Sequence, residues 1–195
     1  MDRGIGRIIT TLKDTGKLEN TLILFTIDNG GCHVEYGANR KGDYLPETTR
    51  DGRPMRPGNL PHIMPGPEDT YQSYGYGWAN ASNTPYRMFK QFDHEGGIRT
   101  PMIAHWPAGI KAKGEVREQF THVIDVVPTI LEVTGIPEPT VVDGIPQIPI
   151  QGTSMVYSFD NASAPERHTT QYFEIVGNRG LYQNGWLARA TVKLP

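Results

Sequence analysis

The chain has 195 residues, 37% of them apolar, with 22 glycines and 16 prolines; it is long enough for one large domain or one medium and one small domain, and much of it must be loop. A formal charge of -2 at neutral pH gives no basic excess for nucleic acid, and no apolar run suggests a membrane span. The single cysteine, Cys32, excludes an internal disulfide.

Taken in chain order, Ile5, Ile8, Ile9 and Leu12 repeat at the spacing of an amphipathic helix and predict one over residues 1–16, with Gly16 as its C-terminal cap. Residues 22–25, Leu-Ile-Leu-Phe, are apolar without alternation, which predicts a strand covered on both faces. That strand runs into Asp28, Asn29, Gly30 and Gly31. These four residues suit a turn. What surrounds them decides whether they are a ligand site instead, since polar groups just past the carboxyl ends of strands do chemistry in open α/β sheets. Residues 37–86 are dense in Gly, Pro and Tyr and show no period, which predicts an ordered loop across a site. Its aromatic run at 71–78 suits either an aryl substrate or packing of the loop on itself. Residues 102–106, between Pro101 and Pro107, predict another buried strand. A helix follows, with Asp125 as cap, Pro128 in its first turn, and Gly135 and Pro137 at its end. Val127, Ile130, Leu131 and Thr134 are its predicted inner stripe. Beyond residue 137 the composition changes, and Asn184-Gly185 between two β-prone runs predicts a hairpin. The pattern is α/β over 1–137, including a long 37–100 loop region, then a smaller antiparallel α+β piece over 138–195.

Four segments, in this order, carry a family resemblance: "NTLILFTIDNGG", "YRMFKQFDHEGGIRTPMIAHWPAGI", "THVIDVVPTILEVTGI", and "IQGTSM" with "FEIVGNRGLYQNGW". The chain resembles the C-terminal part of a sulfatase, in the arylsulfatase branch of the alkaline phosphatase-like superfamily. The resemblance implies an incomplete alkaline phosphatase-like sheet sandwiched by helices. It implies that Asp28 and Asn29 ligate a divalent cation, Ca²⁺ or Mg²⁺, and that Lys90 contacts the sulfate and the leaving oxygen. His94, just before Glu95-Gly96-Gly97, could donate to the sulfate or serve the fold. His33 is explained equally well as a neutral loop histidine, Arg99 is expected to pair with a carboxylate, and His105 and His122 are expected to be structural.

The chemistry behind those roles is general. Sulfuryl transfer needs positioning and neutralisation of charge. Hard oxygen ligands suit Ca²⁺ or Mg²⁺, and a lysine supplies a compact cation. Adjacent residues of a strand point opposite ways, so Asp28 and Asn29 can share a cation only where the strand has ended; Gly30 and Gly31 are read as permitting that turn. Cys32, followed by His33, Val34, Glu35 and Tyr36, does not begin the family's Cys/Ser-x-Pro-x-Arg motif. The motif is read as absent, with the formylglycine nucleophile, the paired aspartates and the Lys-x-His element expected outside this chain. Its opening resembles an internal helix and its end looks cut short, so a fragment, inactive alone, is expected. Two alternatives stay open: a related phosphate or phosphonate ester hydrolase, and a non-catalytic module that self-associates. A sulfate ester is the expected small-molecule partner, with neither nucleic acid nor membrane, and a homodimer is expected through the 21–28 strand and the 1–16 helix.

Overall fold

The computed structural model describes residues 1–37, 45–73 and 75–192. Residues 38–44 and 74 of the expected 37–100 loop lie outside the described residues, as do residues 193–195 at the end read as cut short. Among the described residues the strands form small sheets of two or three strands each, none of them closed into a barrel. No described helix is long and apolar enough to cross a membrane.

The chain divides into two compact units. The first comprises Met1–Phe25, Met102–Tyr172 and Leu181–Ala188. It opens with α1 (Asp2–Asp14), which stops because Gly16 adopts φ +67° and the Lys17 N–H reaches back to the Leu12 carbonyl at 2.8 Å, with Gly16 N–H on Lys13 O at 3.0 Å, a Schellman motif. β1 (Ile23–Thr26) pairs with β4 (Met102–His105). The strand expected over 22–25 is thus shifted by one residue. β4 is not the buried strand that was expected: all four of its residues are exposed, because its one hydrogen-bonded neighbour among the described residues is β1. The apolar stripe of α1 is open in part: Ile8 is 64% exposed while Ile9 and Leu12 are half-buried, and Phe25 at 38% and Ile103 at 61% are further uncovered apolar residues of this unit.

α4 (Val126–Thr134) ends as expected at a left-handed Gly135, but the expected inner stripe is not inside. Val127 and Ile130 are exposed, and Thr129 is the fully buried residue. The reason is polar. Asp125, 1% exposed, does not cap α4 with its side chain. Its carboxylate accepts the N–H of His122 at 2.7 Å and of Thr153 at 2.7 Å, and meets His168 Nδ1 at 2.7 Å. Thr129 donates to the Asp125 carbonyl at 2.6 Å and accepts the Met155 N–H at 2.9 Å. Burying these groups is tolerable because each has a partner, and the network turns the Thr129 face inward. Nearby, Phe120 stacks on Tyr182 at 3.8 Å, and the Tyr182 hydroxyl donates to Glu166 at 2.6 Å. The short strands β5 (Val141–Val142) and β6 (Ile145–Pro146) pair antiparallel.

The second unit comprises Thr26–Pro101, Phe173–Gly180 and the segment from Arg189. Inside the stretch expected to be loop lie β2 (Arg56–Pro57), pairing parallel with β3 (Thr70–Tyr71), and α2 (Gly75–Asn83). Two-residue strands carry no period, and "GYGWANASN" has little helix propensity, so neither is visible in the pattern. Tyr36 stacks on Tyr71 at 5.5 Å, so the start of the aromatic run packs against a residue that precedes the loop. A single helical turn, α3 (Glu95–Ile98), follows.

The last sheet is β7 (Thr170–Ile175), β8 (Asn178–Gln183) and β9 (Trp186–Ala190). Its two-residue links permit only antiparallel pairing. Asn184 and Gly185 form the expected hairpin turn with φ +48° and +85°, and Val176-Gly177 forms a second with φ +51° and +79°, the left-handed pair that matches strand twist.

Candidate active site

The strand that carries the Asp-Asn pair ends at Thr26, and residues 28–30 form a bend, which frees Asp28 and Asn29 from the alternation of a strand. Asp28 is exposed and has no hydrogen-bond partner among the described residues. Asn29 donates its amide to the Gly30 carbonyl at 2.8 Å, and among the described residues nothing donates to its Oδ1. The donor set is therefore two hard oxygens, the chemistry that Ca²⁺ or Mg²⁺ prefers. It is only part of a coordination shell: among the described residues no group of three or more His, Cys, Asp or Glu side chains gathers to hold a metal.

Gly30 and Gly31 serve a different purpose from the one expected. Neither has a positive φ. They are glycines because other backbone occupies the space a side chain would need. A Cβ on Gly30 would overlap the Gly96 carbonyl, and one on Gly31 would lie 3.0 Å from Ala79 Cα. A Cβ on Gly96 would overlap the carbonyls of Met88 and Arg87, and one on Gly97 those of Phe92 and Phe89. Hydrogen bonds fix this contact: Gly30 N–H to Gly97 O at 3.1 Å, Lys90 N–H to Gly31 O at 3.1 Å, and Gly96 N–H to Arg87 O at 2.9 Å. The structure thus brings the backbone of Lys90 onto the Asp-Asn-Gly-Gly bend, joining residues 59 positions or more apart in the chain. The Lys90 side chain is half-buried and forms no ion pair among the described residues.

Two residues that the sequence reading missed hold these segments. Asn83, at the end of α2, accepts the Gly31 N–H at 3.0 Å and donates to the Met88 carbonyl at 3.0 Å. Asn178 donates to the Gln91 carbonyl at 2.9 Å. Nothing in their spacing marks them out.

His94 is the backbone N-cap of α3. Burial, followed by the nearby positive charges of Arg189 and Arg87, pushes its pKa below the ordinary histidine value. His33 is buried and stacked on Phe89 at 4.4 Å, with Nδ1 unpartnered among the described residues. Arg99 pairs with Glu95 at 3.1 Å and lies over the Tyr86 ring, as expected of it. Asp93 is 2% exposed with both carboxylate oxygens unpartnered among the described residues, and burial, then Glu174, raises its pKa.

One expectation fails on the sequence itself. The nucleophile pattern was read as absent, yet Ser163, Pro165 and Arg167 spell Ser-x-Pro-x-Arg literally. This run belongs to the first unit, whereas Asp28, Asn29 and Lys90 belong to the second. Its Arg167 lies over the Tyr157 ring at 4.6 Å, and the Ser163 N–H is held by Asn161 at 3.1 Å, an exposed turn.

The sulfatase family model matches residues 1–136. The chain is 34% identical over 143 residues to a sulfatase of Schizosaccharomyces pombe, covering 71% of this chain and 24% of that protein. It is 32% identical over 178 residues to the arylsulfatase of Klebsiella aerogenes, covering 91% of this chain and 35% of that protein. Human N-acetylgalactosamine-6-sulfatase matches at 27% over 159 residues, covering 80% of this chain and 23% of that protein. The chain belongs to the sulfatase family, and it spans about a quarter to a third of the length of these relatives.

The lowered pKa of His94 has a measurable sign. The unfolded chain takes up this proton more readily, so the contribution to stability is intact above the ordinary value of 6.5 and is lost as pH falls through the lower folded value. A proton NMR titration of the His94 ring should show a midpoint under 6.5; a midpoint above it would contradict the environment described here.

Proposed function

We propose that this chain furnishes the metal-ligand pair and the sulfate lysine of a sulfate ester hydrolase with an alkaline phosphatase-like α/β fold. The observation that carries the reading is the backbone contact that joins the Asp28-Asn29 bend to Lys90 in a member of the sulfatase family. Asp28 and Asn29 would hold Ca²⁺, or Mg²⁺, through carboxylate and amide oxygens. Such a cation polarises a sulfate oxygen and neutralises charge. Lys90 places an uncommitted ammonium against the sulfate and the leaving oxygen, where negative charge grows during S–O cleavage. A neutral His94 offers one ring N–H for a sulfate oxygen and stays uncharged at neutral pH. In this reading the nucleophile is a formylglycine supplied by residues outside these 195, the Ser163 run being an exposed turn, and the remaining metal ligands come from there too. The arylsulfatase and N-acetylgalactosamine-6-sulfatase likenesses support an alcohol or phenol sulfate as the substrate class.

The purified chain with Ca²⁺ is expected to turn over no aryl sulfate above buffer background. Turnover that requires metal and disappears in Lys90→Ala would place the nucleophile within the chain, and loss in Ser163→Ala would locate it. Calorimetry should find weak Ca²⁺ binding, because two ligands fall short of the ~6–8 oxygens that Ca²⁺ takes, and none in Asp28→Ala. Sub-micromolar affinity would show a complete site within this chain.

A second reading, a module that self-associates, is favoured by the apolar residues left open on the first unit, Ile8, Phe25 and Ile103. Each uncovered aliphatic or aromatic side chain forgoes roughly 1.5–3 kcal/mol, and a second copy of the chain is the simplest cover. Light scattering at micromolar concentration should then give twice the monomer mass or more. A stable monomer that binds no hydrophobic dye would rule the reading out.

A further inference from the structure

Lys90 sits between two residues with unusual backbone. Met88 has φ +64° and Gln91 has φ +77°. Neither is glycine, asparagine or aspartate, the residues that visit this region easily. Such conformations persist only where the surroundings hold them, and they gather at functional sites. Here the surroundings can be named. The Met88 carbonyl accepts from Asn83 Nδ2 at 3.0 Å, and the Gln91 carbonyl accepts from Asn178 Nδ2 at 2.9 Å. Each amide is fixed at its other end as well. Asn83 Oδ1 accepts the Gly31 N–H at 3.0 Å, and Asn178 Oδ1 accepts the Val192 N–H at 3.2 Å. Because donor and acceptor of both amides are committed, their orientation is set by the bonds they make. Asn178 is 8% exposed, so solvent does not compete strongly for its bonds.

We propose that Asn83 and Asn178 are positioning residues for Lys90: two side-chain amides that seize the left-handed residues on either side of the lysine and hold its backbone against the Asp28-Asn29 bend. The proposal rests on the reading of Lys90 as the sulfate-contacting residue. Neither asparagine touches substrate. Their effect is to fix where the ammonium starts from, so that substrate binding need not order the loop.

The test uses the whole chain, with inorganic sulfate as probe. Asn83→Asp and Asn178→Asp each keep the acceptor oxygen and remove the donor that holds the Met88 or Gln91 carbonyl. Asn80→Asp, on the exposed face of α2, adds the same charge as a control, and Lys90→Ala defines the loss of the lysine itself. Two quantities are read by NMR: hydrogen exchange of the Lys90 amide, which is bonded to Gly31 O, and sulfate affinity. The expected result is faster Lys90 amide exchange and roughly tenfold weaker sulfate binding in either clamp variant, with neither change in Asn80→Asp. Thermal midpoints close to that of the unmodified chain would separate positioning from general loss of fold. If either variant melts early, Asn83→Ser and Asn178→Ser repeat the test without the added charge. Exchange and affinity that stay at the values of the unmodified chain, or that shift equally in Asn80→Asp, would overturn the proposal. Loss of sulfate binding in Lys90→Ala with none in the asparagine variants would overturn it alone. Unchanged sulfate binding in Lys90→Ala would overturn the reading of Lys90 and the proposal with it, while the exchange data still report whether the amides hold the loop.

Discussion

The second unit depends on the contact of two glycine pairs. Gly30 lies so close to Gly96 that a methyl group on it would overlap the Gly96 carbonyl, and Gly96 and Gly97 in turn lie so close to the carbonyls of Arg87, Met88, Phe89 and Phe92 that neither could carry one. Backbone oxygen is a poor place to absorb an overlap, because moving it moves the chain. The gain from tolerating no side chain is that backbone donors and acceptors from distant segments meet directly. The Gly30–Gly97 and Lys90–Gly31 bonds are the result. Everything asked of the site follows from them: Asp28 and Asn29 leave the strand at a bend, and the Lys90 backbone is fixed beside that bend. Asn83 and Asn178 then restrain the strained residues around the lysine.

The first unit is organised differently. Its centre is a carboxylate, Asp125, with backbone amides and an imidazole arranged around it. Such a centre gives direction more than strength, since a buried charge gains little once its desolvation is counted. Across both units only Ala79, Met155 and Tyr182 are buried apolar residues among those described. Hydrogen bonds and close backbone packing therefore carry much of the geometry, while α1, β1 and β4 keep apolar side chains in the open. Those side chains are what made the helix and strands legible as sequence. Their exposure explains why periodicity located the elements but misjudged how deeply they lie.

How far the sequence could be read varies with the physical signal. α1 and its Gly16 stop were legible because a repeating apolar stripe and a left-handed glycine are local features. The Asn184-Gly185 turn was legible for the same reason, whereas Val176-Gly177 was not, because valine seldom accepts a positive φ. α2 and the β2–β3 pair were hidden, being set by contacts and not by pattern. The direction of α4 was misjudged, since hydrophobicity pointed to Val127 and Ile130 while hydrogen bonding buried Thr129. In the site, Asp28, Asn29 and Lys90 came from a family likeness that the comparisons support at the level of the family. The asparagines that restrain the lysine had no signal, because a side-chain amide between two loops leaves no spacing rule. The glycines were noticed for the wrong reason: their requirement is space, and space is a property of the folded chain.

The central claim is that the Asp28-Asn29 bend and Lys90 form one cation-and-anion site. Mn²⁺ favours the same hard oxygen ligands, and its unpaired electrons broaden NMR signals of nuclei close to it. Titrating Mn²⁺ at low stoichiometry and following backbone amides tests the claim most directly. The account predicts that Asn29, Gly31, Lys90 and Gly97 broaden first and together, and that Asp28→Ala abolishes the effect. Broadening centred on other residues, or broadening of Asn29 and Gly31 that leaves Lys90 and Gly97 sharp, would contradict it.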